Sequence, residues 1–255
     1  MQKKLAVFDI DGTLLDSNDE VLPSTLAAIK RLHALGVHTA IATGRNYKMA
    51  RWVIEAADIH DYVVCNGSVI YVQDKLTMQR YLDENEVHQL NEYTRKIGTN
   101  FMAESADELY ADVAPDPVLA DVLSGCRTTV LHEPGYAFKK PIVQGLALLT
   151  PKQAAQAPHF ESLQFKRFDN RGVDVIPRDG NKAKSVLRLA DHLGIANHNV
   201  VAFGDNQNDT EMLTAVGTGI AMGHAPANVK DAADWVTGDL DSDGIAKGLK
   251  HVGWL

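Results

Sequence analysis

Short apolar strands alternate with amphipathic helices at both ends of the 255-residue chain, and this alternation limits the possible folds more than any other feature. Leu5–Phe8 is a continuous apolar run, as expected for a strand covered on both faces. A predicted helix runs from Pro23 to the stop at Gly36, and a second strand spans Val37–Ala42. A helix near Lys48–Ala57 then leads to a third strand, Tyr62–Cys65. Strand, helix and strand repeated in this way predict a parallel sheet with right-handed crossovers.

The middle of the chain follows a different pattern. Between about Asp83 and Arg178 the predicted strands resemble hairpin members. Leu163–Phe168 and Val173–Ile176, for example, flank a turn at Asn170-Arg171-Gly172. This change predicts an inserted α+β domain at residues 83–178.

The first pattern resumes after the insertion. A predicted helix from about Asn181 to Gly194 carries apolar residues at i, i+3, i+4 and i+7 from Val186. A strand at Val200–Phe203 follows, with helices near Asp209–Val216 and Gly244–His251. We therefore predict an α/β fold in which residues 1–82 and 179–255 form one core around a mostly parallel sheet.

Charge and cysteine content exclude several classes of protein. The net charge of −8 argues against nucleic acid or an anionic membrane surface as the main partner. The two cysteines, Cys65 and Cys126, lack C-x-x-C spacing, which favours a reducing compartment with neither thiol structural. No run approaches the ~18 apolar residues of a membrane span, and no signal-peptide segment precedes the first strand. We expect a soluble, cytoplasmic protein.

Polar residues follow three of the predicted parallel strands. These segments are Asp9-Ile10-Asp11-Gly12-Thr13, Thr43-Gly44-Arg45 and Gly204-Asp205-Asn206-Gln207-Asn208-Asp209. In open α/β sheets the carboxyl ends of the strands meet at the edge where ligands bind. We therefore expect the three segments to form one site.

Asp9 and Asp11 are two residues apart at the end of a strand, so their side chains are expected to leave from the same face. Two such carboxylates repel each other without a cation. Gly12 allows a sharp turn after them, and Asp205 would supply a third carboxylate. Clustered hard oxygen atoms are the ligands that Mg²⁺ prefers.

Lys182 lies at the start of a predicted helix, where the helix dipole disfavours a cation. It is four residues before Val186 and therefore on the row that faces the core. Asp209 shares a helix face with Met212, Leu213 and Val216, so it too is expected to point inward. An inward-facing lysine at the helix end that disfavours cations indicates a functional role.

The sequence resembles the haloacid dehalogenase-like superfamily, and within it the Cof-type sugar-phosphatase group of subfamily IIB. The resemblance rests on "DIDGT" from Asp9, "ATGR" from Ala42, Lys182 and "GDNQND" from Gly204, with further likeness at "IAMGHAPANVKDAADWVT" and "DGIAKGL". It covers nearly all of the core and is weak in the insertion. Ala183 replaces the glycine common after the motif lysine, but the lysine is kept. The resemblance implies a Rossmann-like three-layer core and identifies the inserted domain as a cap that decides substrate choice.

The resemblance also implies roles for individual residues. Asp9 would attack phosphorus and form an aspartyl-phosphate, and Asp11 would protonate the leaving alcohol and then activate water. Mg²⁺ would be held by the Asp9 side chain, the Asp11 carbonyl and Asp205. The groups expected to bind phosphate or substrate are Ile10, Thr43, Gly44, Arg45, Asn66, Lys182 and Asn208. Asn206 and Asp209 are expected to position these groups without contacting the substrate themselves.

Other motifs are interpreted as structural. "DLDSDG" from Asp239 opens like a calcium loop but has Lys250 at its twelfth position, which indicates a turn before the last helix. "GTGIAMG" from Gly217 has one residue too many for a dinucleotide loop. The ten histidines show no metal-binding spacing, and Asp16 matches no motif.

We therefore expect a Mg²⁺-dependent phosphatase for small phosphorylated metabolites such as sugar phosphates. Two alternatives stay open, a phosphomutase or phosphotransferase of the same fold and a non-catalytic sugar-phosphate sensor. Candidate substrate-contacting residues in the cap are Arg167, Arg171 and His132. We expect a monomer or a small homo-oligomer.

Overall fold

A computed structural model describes residues 2–16, 18–112, 117–168 and 170–255, and its strands form two β-sheets. In chain order the strands are β1 (Leu5–Phe8), β2 (His38–Ala42), β3 (Asp61–Val64), β4 (Val69–Val72), β5 (Lys75–Gln79), β6 (Phe101–Glu104), β7 (Leu109–Ala111), β8 (Leu131–His132), β9 (Gln144–Ala147), β10 (Leu163–Arg167), β11 (Val173–Pro177), β12 (Val200–Gly204), β13 (Thr218–Ala221) and β14 (Trp235–Val236). The α-helices of the described residues are α1 (Pro23–Ala34), α2 (Tyr47–Ala57), α3 (Glu84–Lys96), α4 (Pro117–Val122), α5 (Pro151–Ala155), α6 (Lys182–His192), α7 (Thr210–Ala215), α8 (Ala227–Lys230) and α9 (Gly244–His251).

The larger sheet, here called the core sheet, has eight strands in the order β14-β13-β12-β1-β2-β3-β4-β5. Strands β14 to β3 of this order are parallel, and β4 and β5 continue the sheet as an antiparallel hairpin. The central strand, β1, pairs with β2 on one side and with β12 on the other. A mostly parallel α/β core is therefore confirmed.

Two layers of helices cover the core sheet, because side chains of each strand alternate between its faces. Ala6 and Phe8 of β1 pack in the apolar cluster that includes buried residues of α1, α2 and α9. Leu5 and Val7 pack in a second cluster with buried residues of α6, α7 and α8. The expected three-layer arrangement is thus present, and it explains why the strand reads as a continuous apolar run.

The smaller sheet, here called the cap sheet, has six strands in the order β10-β11-β9-β6-β7-β8. All of its strands lie between Phe101 and Pro177, and the predicted β10–β11 hairpin is antiparallel as expected. Helix α3 covers one face, while α4 packs on the other together with Met49 of α2. The inserted α+β unit is confirmed, whereas its limits at residues 83 and 178 stay a prediction.

The β4–β5 hairpin was not expected from the sequence. After β3, Cys65 (φ +52°), Asn66 (φ +51°) and Gly67 (φ +97°) take left-handed backbone conformations one after another, and this turn reverses the chain. Gln73 and Asp74, at φ +49° and +59°, form the next tight turn. The sheet therefore ends in antiparallel strands because of two turns. Asn66-Gly67 and Asp74 are residues that favour such turns, whereas Cys65 and Gln73 are not.

Two motifs that were interpreted as structural form ordinary secondary structure. "DLDSDG" forms a short 3₁₀ turn at Leu240–Ser242 that leads into α9, and part of "GTGIAMG" is the strand β13. Cys65 and Cys126 are free thiols. Among the described helices, none combines the length and the apolar character needed to cross a membrane.

Candidate active site

The parallel pairing of β1 with β12 brings carboxylates from opposite ends of the chain together. Asp9 follows β1, and its N–H donates to the carbonyl of Phe203 in β12 (3.0 Å). Asp205 follows β12, and Asp209 lies one short turn further on. Carboxylate oxygens of Asp9, Asp205 and Asp209 lie within 4.8 Å of one another. The expected meeting of the first and last polar segments at one edge is thus present.

Lys182 is the first residue of α6, and its side chain is buried. Its Nζ lies 2.7 Å from Asp9 Oδ1 and 2.8 Å from Asp209 Oδ1. The Asn181 side chain accepts a hydrogen bond from the N–H of Lys184 (2.8 Å) and so caps the helix that carries the lysine. Ion pairing to two carboxylates offsets the unfavourable position of a cation at a helix N-terminus.

The pKa values of the cluster reflect its excess of negative charge. Burial and repulsion from Asp209 raise the pKa of Asp9 well above its usual range, against the attraction of Lys182. Burial and Asp209 also raise the pKa of Asp205 to about 6, although a hydrogen bond from the Thr13 hydroxyl (2.9 Å) lowers it. Burial lowers the pKa of Lys182, but attraction to Asp209 and Asp9 outweighs it and raises that pKa overall. One ammonium among three carboxylates leaves a site that favours a further cation.

The carboxylates differ in how many of their oxygens already have partners. Asp209 uses both, since Oδ1 accepts from Lys182 and Oδ2 accepts from the N–H groups of Asp205 (3.1 Å) and Asn206 (3.0 Å). Asp9 Oδ1 accepts from Lys182, and Asp205 Oδ1 accepts from the Thr13 hydroxyl. Both oxygens of Asp209 are thus occupied by partners within the protein, and its supporting role stays a prediction.

Glycine at position 12 permits the approach of Asp205. Gly12 has φ +75°, and a Cβ there would lie 2.4 Å from Asp205 Oδ2. Any larger residue would thus combine a strained backbone with a clash against a carboxylate. The turn after Asp11 and the position of Asp205 depend on each other.

Asp11 lies apart from the buried cluster and pairs with Arg45. The guanidinium donates to both oxygens of the Asp11 carboxylate, at 2.6 Å and 3.1 Å, and also to the carbonyl of Met49 (3.3 Å). The Asp11 side chain is 59% exposed, while that of Arg45 is 6% exposed. The structure therefore places Arg45, expected to bind phosphate or substrate, against the carboxylate expected to transfer protons.

Asn66 connects the core to the cap sheet. Its Nδ2 donates to Gln144 Oε1 (2.9 Å) and to Asp174 Oδ2 (2.8 Å). Asn208 Nδ2 approaches Asn66 Oδ1 at 3.5 Å. Gln144 in turn donates to the carbonyl of Gly44 (2.9 Å). The cap sheet thus lies directly over the edge of the core sheet that carries the predicted site.

A cavity of about 260 Å³ lies between the core and the cap sheet. Its core wall consists of Asp9, Asp11, Gly44, Arg45, Met49, Asn206 and Asn208. Its cap wall consists of Glu104, Val122, Leu123, Cys126, Gln144, Leu146, Phe168 and Asp174. The predicted site residues that line the cavity are Asp9, Asp11, Gly44, Arg45, Asn206 and Asn208. Four others are buried next to it: Thr43, Asn66, Lys182 and Asp209. Ile10 is buried in the turn after β1.

The three cap residues proposed from the sequence do not line this cavity. Arg167 donates to the carbonyls of Leu149 and Gly172, Arg171 pairs with Asp121, and His132 contacts the carbonyl of Asp112. That prediction requires correction, because these side chains bond within the cap.

Three polar residues of the cavity wall were not predicted from the sequence: Glu104, Gln144 and Asp174. Each is a polar residue in a strand that is otherwise buried or nearly so. Asp174 interrupts an apolar strand, and this break is a signal that could have identified it. Glu104 and Gln144 lie at strand ends, where polar residues are common.

Comparison with known proteins identifies relatives over the whole chain. Residues 6–249 match the sequence model of a family described as haloacid dehalogenase-like hydrolase. YkrA of Bacillus subtilis (strain 168) is 31% identical over 258 residues, covering 100% of both chains. The 5-amino-6-(5-phospho-D-ribitylamino)uracil phosphatase YcsE of the same organism is 26% identical, covering 97% of this chain and 95% of its own.

A solved structure shows the same fold. The structure described as the HAD subclass IIB sugar phosphatase BT4131 superposes with a TM-score of 0.91 at 26% sequence identity. The match covers 99% of this chain and 100% of that one, so it includes the core and the cap.

Proposed function

The chain belongs to the haloacid dehalogenase-like hydrolase family, and from this membership we propose that it is a Mg²⁺-dependent phosphatase that cleaves small phosphate monoesters through an aspartyl-phosphate. The observation that carries the proposal is the bridge of Lys182 between Asp9 and Asp209, with Asp205 beside them, at the wall of a cavity that also contains Asp11. Nucleophile, proton donor and counter-charges are thus available around one space.

Asp9 is proposed as the nucleophile. Its carboxylate oxygen forms a bond to phosphorus as the bond between phosphorus and the ester oxygen breaks, and the leaving oxygen takes a proton from Asp11. Water then gives a proton to Asp11 and attacks phosphorus, which breaks the bond to Asp9 and releases inorganic phosphate. Lys182 favours the ionised form of Asp9 that attack requires.

Asp11 is proposed to move the protons. Its side chain is exposed where that of Asp9 is buried, so it can exchange protons with water as well as with the substrate. Arg45 donates to both of its oxygens and so fixes its orientation. In this proposal Arg45 acts through Asp11 as a positioning residue.

The carboxylates fit a hard divalent cation such as Mg²⁺. Asp9 and Asp205 would bind it with their side chains and Asp11 with its carbonyl, while Asp209 has both oxygens in use. When bound, the ion neutralises negative charge on the phosphoryl oxygens.

Phosphate is proposed to bind near Thr43, Gly44, Lys182 and Asn208, with the Ile10 and Gly44 amides as donors. Two substrate classes are candidates. Sugar phosphates are suggested by the relative BT4131, described as a sugar phosphatase. Phosphorylated compounds with a nitrogen-containing ring are suggested by YcsE, named for its aminouracil substrate.

Asp9→Asn tests the assignment of the nucleophile. We expect phosphate release to fall by at least about 10³-fold, because the amide cannot form the intermediate. The fold is expected to persist, since Asn has nearly the same shape and Lys182 keeps its pair with Asp209. Release of phosphate from p-nitrophenyl phosphate and the melting temperature measure the two effects.

Asp191→Asn, an exposed position on α6, is the matched control and is expected to behave as wild type. Activity of Asp9→Asn within tenfold of wild type would contradict the proposed mechanism. Adding an acceptor sugar during the time course distinguishes hydrolysis from transfer, because transfer lowers the yield of free phosphate.

A further inference from the structure

The cap wall of the cavity has an apolar part and a polar part. Val122, Leu123, Leu146 and Phe168 form the apolar part, and Met49 extends it on the core side. Glu104, Gln144 and Asp174 form the polar part. A leaving group that fits this wall must itself be apolar on one side and polar on another.

The polar part is built from three neighbouring strands of the cap sheet, β6, β9 and β11. Glu104 and Gln144 are register partners, and Gln144 Nε2 donates to Glu104 Oε1 (3.2 Å). Asp174 is held by Asn66, which also donates to Gln144. The two carboxylates are therefore fixed in place on strands and by hydrogen bonds.

The charge of the cavity wall excludes a second anionic group on the substrate. Among the described residues that line the cavity, Arg45 carries the only cationic side chain, and it pairs with Asp11. A second phosphate or a carboxylate placed against the cap would face Glu104 and Asp174 without a counter-charge. Acceptors dominate this wall, so it complements donors.

We propose that the cavity selects monophosphate esters whose leaving group is an apolar ring bearing a nitrogen hydrogen-bond donor, such as an amine, and that Asp174 and Glu104 recognise this donor. The inference rests on the proposed phosphatase function and refines it, because it prefers such esters over sugar phosphates. Gln144 is a positioning residue in this arrangement, since it holds Glu104.

Two physical effects support the choice of a donor-bearing ring. Burial raises the pKa of Asp174 to about 7 and that of Glu104 to about 8, although hydrogen bonds from Asn66 and Gln144 oppose these shifts. Among the described residues, neither carboxylate forms a salt bridge with a cationic side chain. A positively charged amine would supply such a cation. A sugar, in contrast, carries hydroxyl groups on all sides, and those against Val122, Leu123 and Leu146 would lose hydrogen bonds to water without replacement.

The test compares esters that differ in one feature. Benzyl phosphate has the ring alone, 4-(aminomethyl)benzyl phosphate adds the amine, and glucose 6-phosphate has hydroxyl groups without an apolar ring. We expect kcat/KM to be at least about tenfold higher for the aminomethyl ester than for benzyl phosphate, as for a hydrogen bond to a charged group. Glucose 6-phosphate is expected to be the poorest of the three.

Asp174→Asn and Glu104→Gln connect the preference to these residues. Each is expected to reduce the ratio of kcat/KM between the aminomethyl ester and benzyl phosphate to about threefold or less, mainly through KM. If Asp174 and Glu104 had only a structural role, the substitutions would lower kcat/KM for the two esters by the same factor and leave their ratio unchanged. Glu92→Gln, an exposed carboxylate on α3, is the control that keeps the wild-type ratio.

Hydrolysis of p-nitrophenyl phosphate distinguishes failure of the recognition proposal from failure of the phosphatase function. If it is hydrolysed and glucose 6-phosphate is preferred, or the amine gives no advantage, the recognition proposal is wrong and the phosphatase function stands. If neither p-nitrophenyl phosphate nor any of the three esters is hydrolysed with Mg²⁺ present, the phosphatase function itself is wrong and the recognition proposal fails with it.

Discussion

At the scale of single residues, Lys182 and Glu104 show what a position in the sequence can and cannot predict. The inward orientation of Lys182 follows from helical spacing, because Val186 lies on the same row of α6. Its partners Asp9 and Asp209 could be proposed only because they belong to the motifs that resemble those of the family. Glu104 follows three other buried residues in β6, and nothing in its own segment indicates Gln144 or Asp174 as neighbours. Contacts across a sheet depend on strand order, which local patterns do not determine.

Glu104 also makes the stability of the protein depend on pH. Burial, with repulsion from Asp174, raises its pKa from the usual 4.5 to about 8, although the hydrogen bond from Gln144 opposes the shift. The folded state therefore keeps a proton that the unfolded chain releases. The free energy of unfolding therefore falls as the pH rises from about 4.5 to about 8.

Glu104→Gln is expected to remove this loss. At about pH 8.5 the variant should melt at a higher temperature than wild type, with a free energy of unfolding that is larger by on the order of a few kcal/mol. At about pH 5 the two proteins should differ little. Thermal unfolding across this range provides the measurement. An equal change at both pH values would show that the effect comes from packing and not from the proton.

At the scale of elements, the position of α6 depends on the turn after β3. Gly67 has φ +97°, and a Cβ there would lie 2.4 Å from the carbonyl oxygen of Asn181, the residue that caps α6. Ser185 Oγ donates to the carbonyl of Gly67 (2.6 Å). The turn that begins the unexpected hairpin is therefore also the support for the helix that carries Lys182.

Gly67→Ala is expected to destabilise the protein by about 2 kcal/mol or more and to lower kcat, because the clash displaces the start of α6. Gly194→Ala is the matched control at the other end of the same helix. It shares a positive φ of +68°, but a Cβ there meets nothing within 4 Å. If both variants lose the same stability and activity, the contact with Asn181 has no special role.

The elements themselves were largely predictable from the sequence, and the hairpin was not. The predicted α9 has the observed limits, and the first three predicted strands differ from β1, β2 and β3 by at most one residue at each end. Strands β4 and β5 depend on non-glycine residues in left-handed conformations. Asn66-Gly67 and Asp74 favour tight turns, but the left-handed conformations of Cys65 and Gln73 are set by the surrounding structure.

At the scale of the whole molecule, the insertion could be recognised from a change of pattern, whereas its placement over the core could not. That placement depends on contacts between distant segments. Arg127 lies over the ring of Trp52 (3.8 Å) and donates to the carbonyl of Asp19. Tyr71 in β4 donates to Asp107, and the N–H of Tyr47 donates to the carbonyl of Ala106. These contacts hold the inserted unit against the core.

Binding of Mg²⁺ would link the two halves of the core, because Asp9 and Asp205 follow neighbouring strands from opposite ends of the chain. We expect saturating Mg²⁺ to raise the free energy of unfolding by about 2.7 kcal/mol at a concentration one hundred times its Kd. The melting temperature with Mg²⁺ and with EDTA measures this. Asp205→Asn should lose most of the increase, whereas Asp234→Asn, remote from the cluster, should keep it. An increase that survives in Asp205→Asn would place the ion elsewhere.

The central position of β1 has a consequence for synthesis of the chain. Leu5 of β1 pairs with Val200 of β12, so β1 cannot complete its pairing until β12 has been synthesised. At 5–20 residues per second, a ribosome needs roughly 10–40 s to supply the missing neighbour. All six cap strands are translated during this interval and can pair with one another. The nascent chain therefore completes its inserted unit while one side of β1 is still without a partner, and this interval is when the chain is most exposed to aggregation.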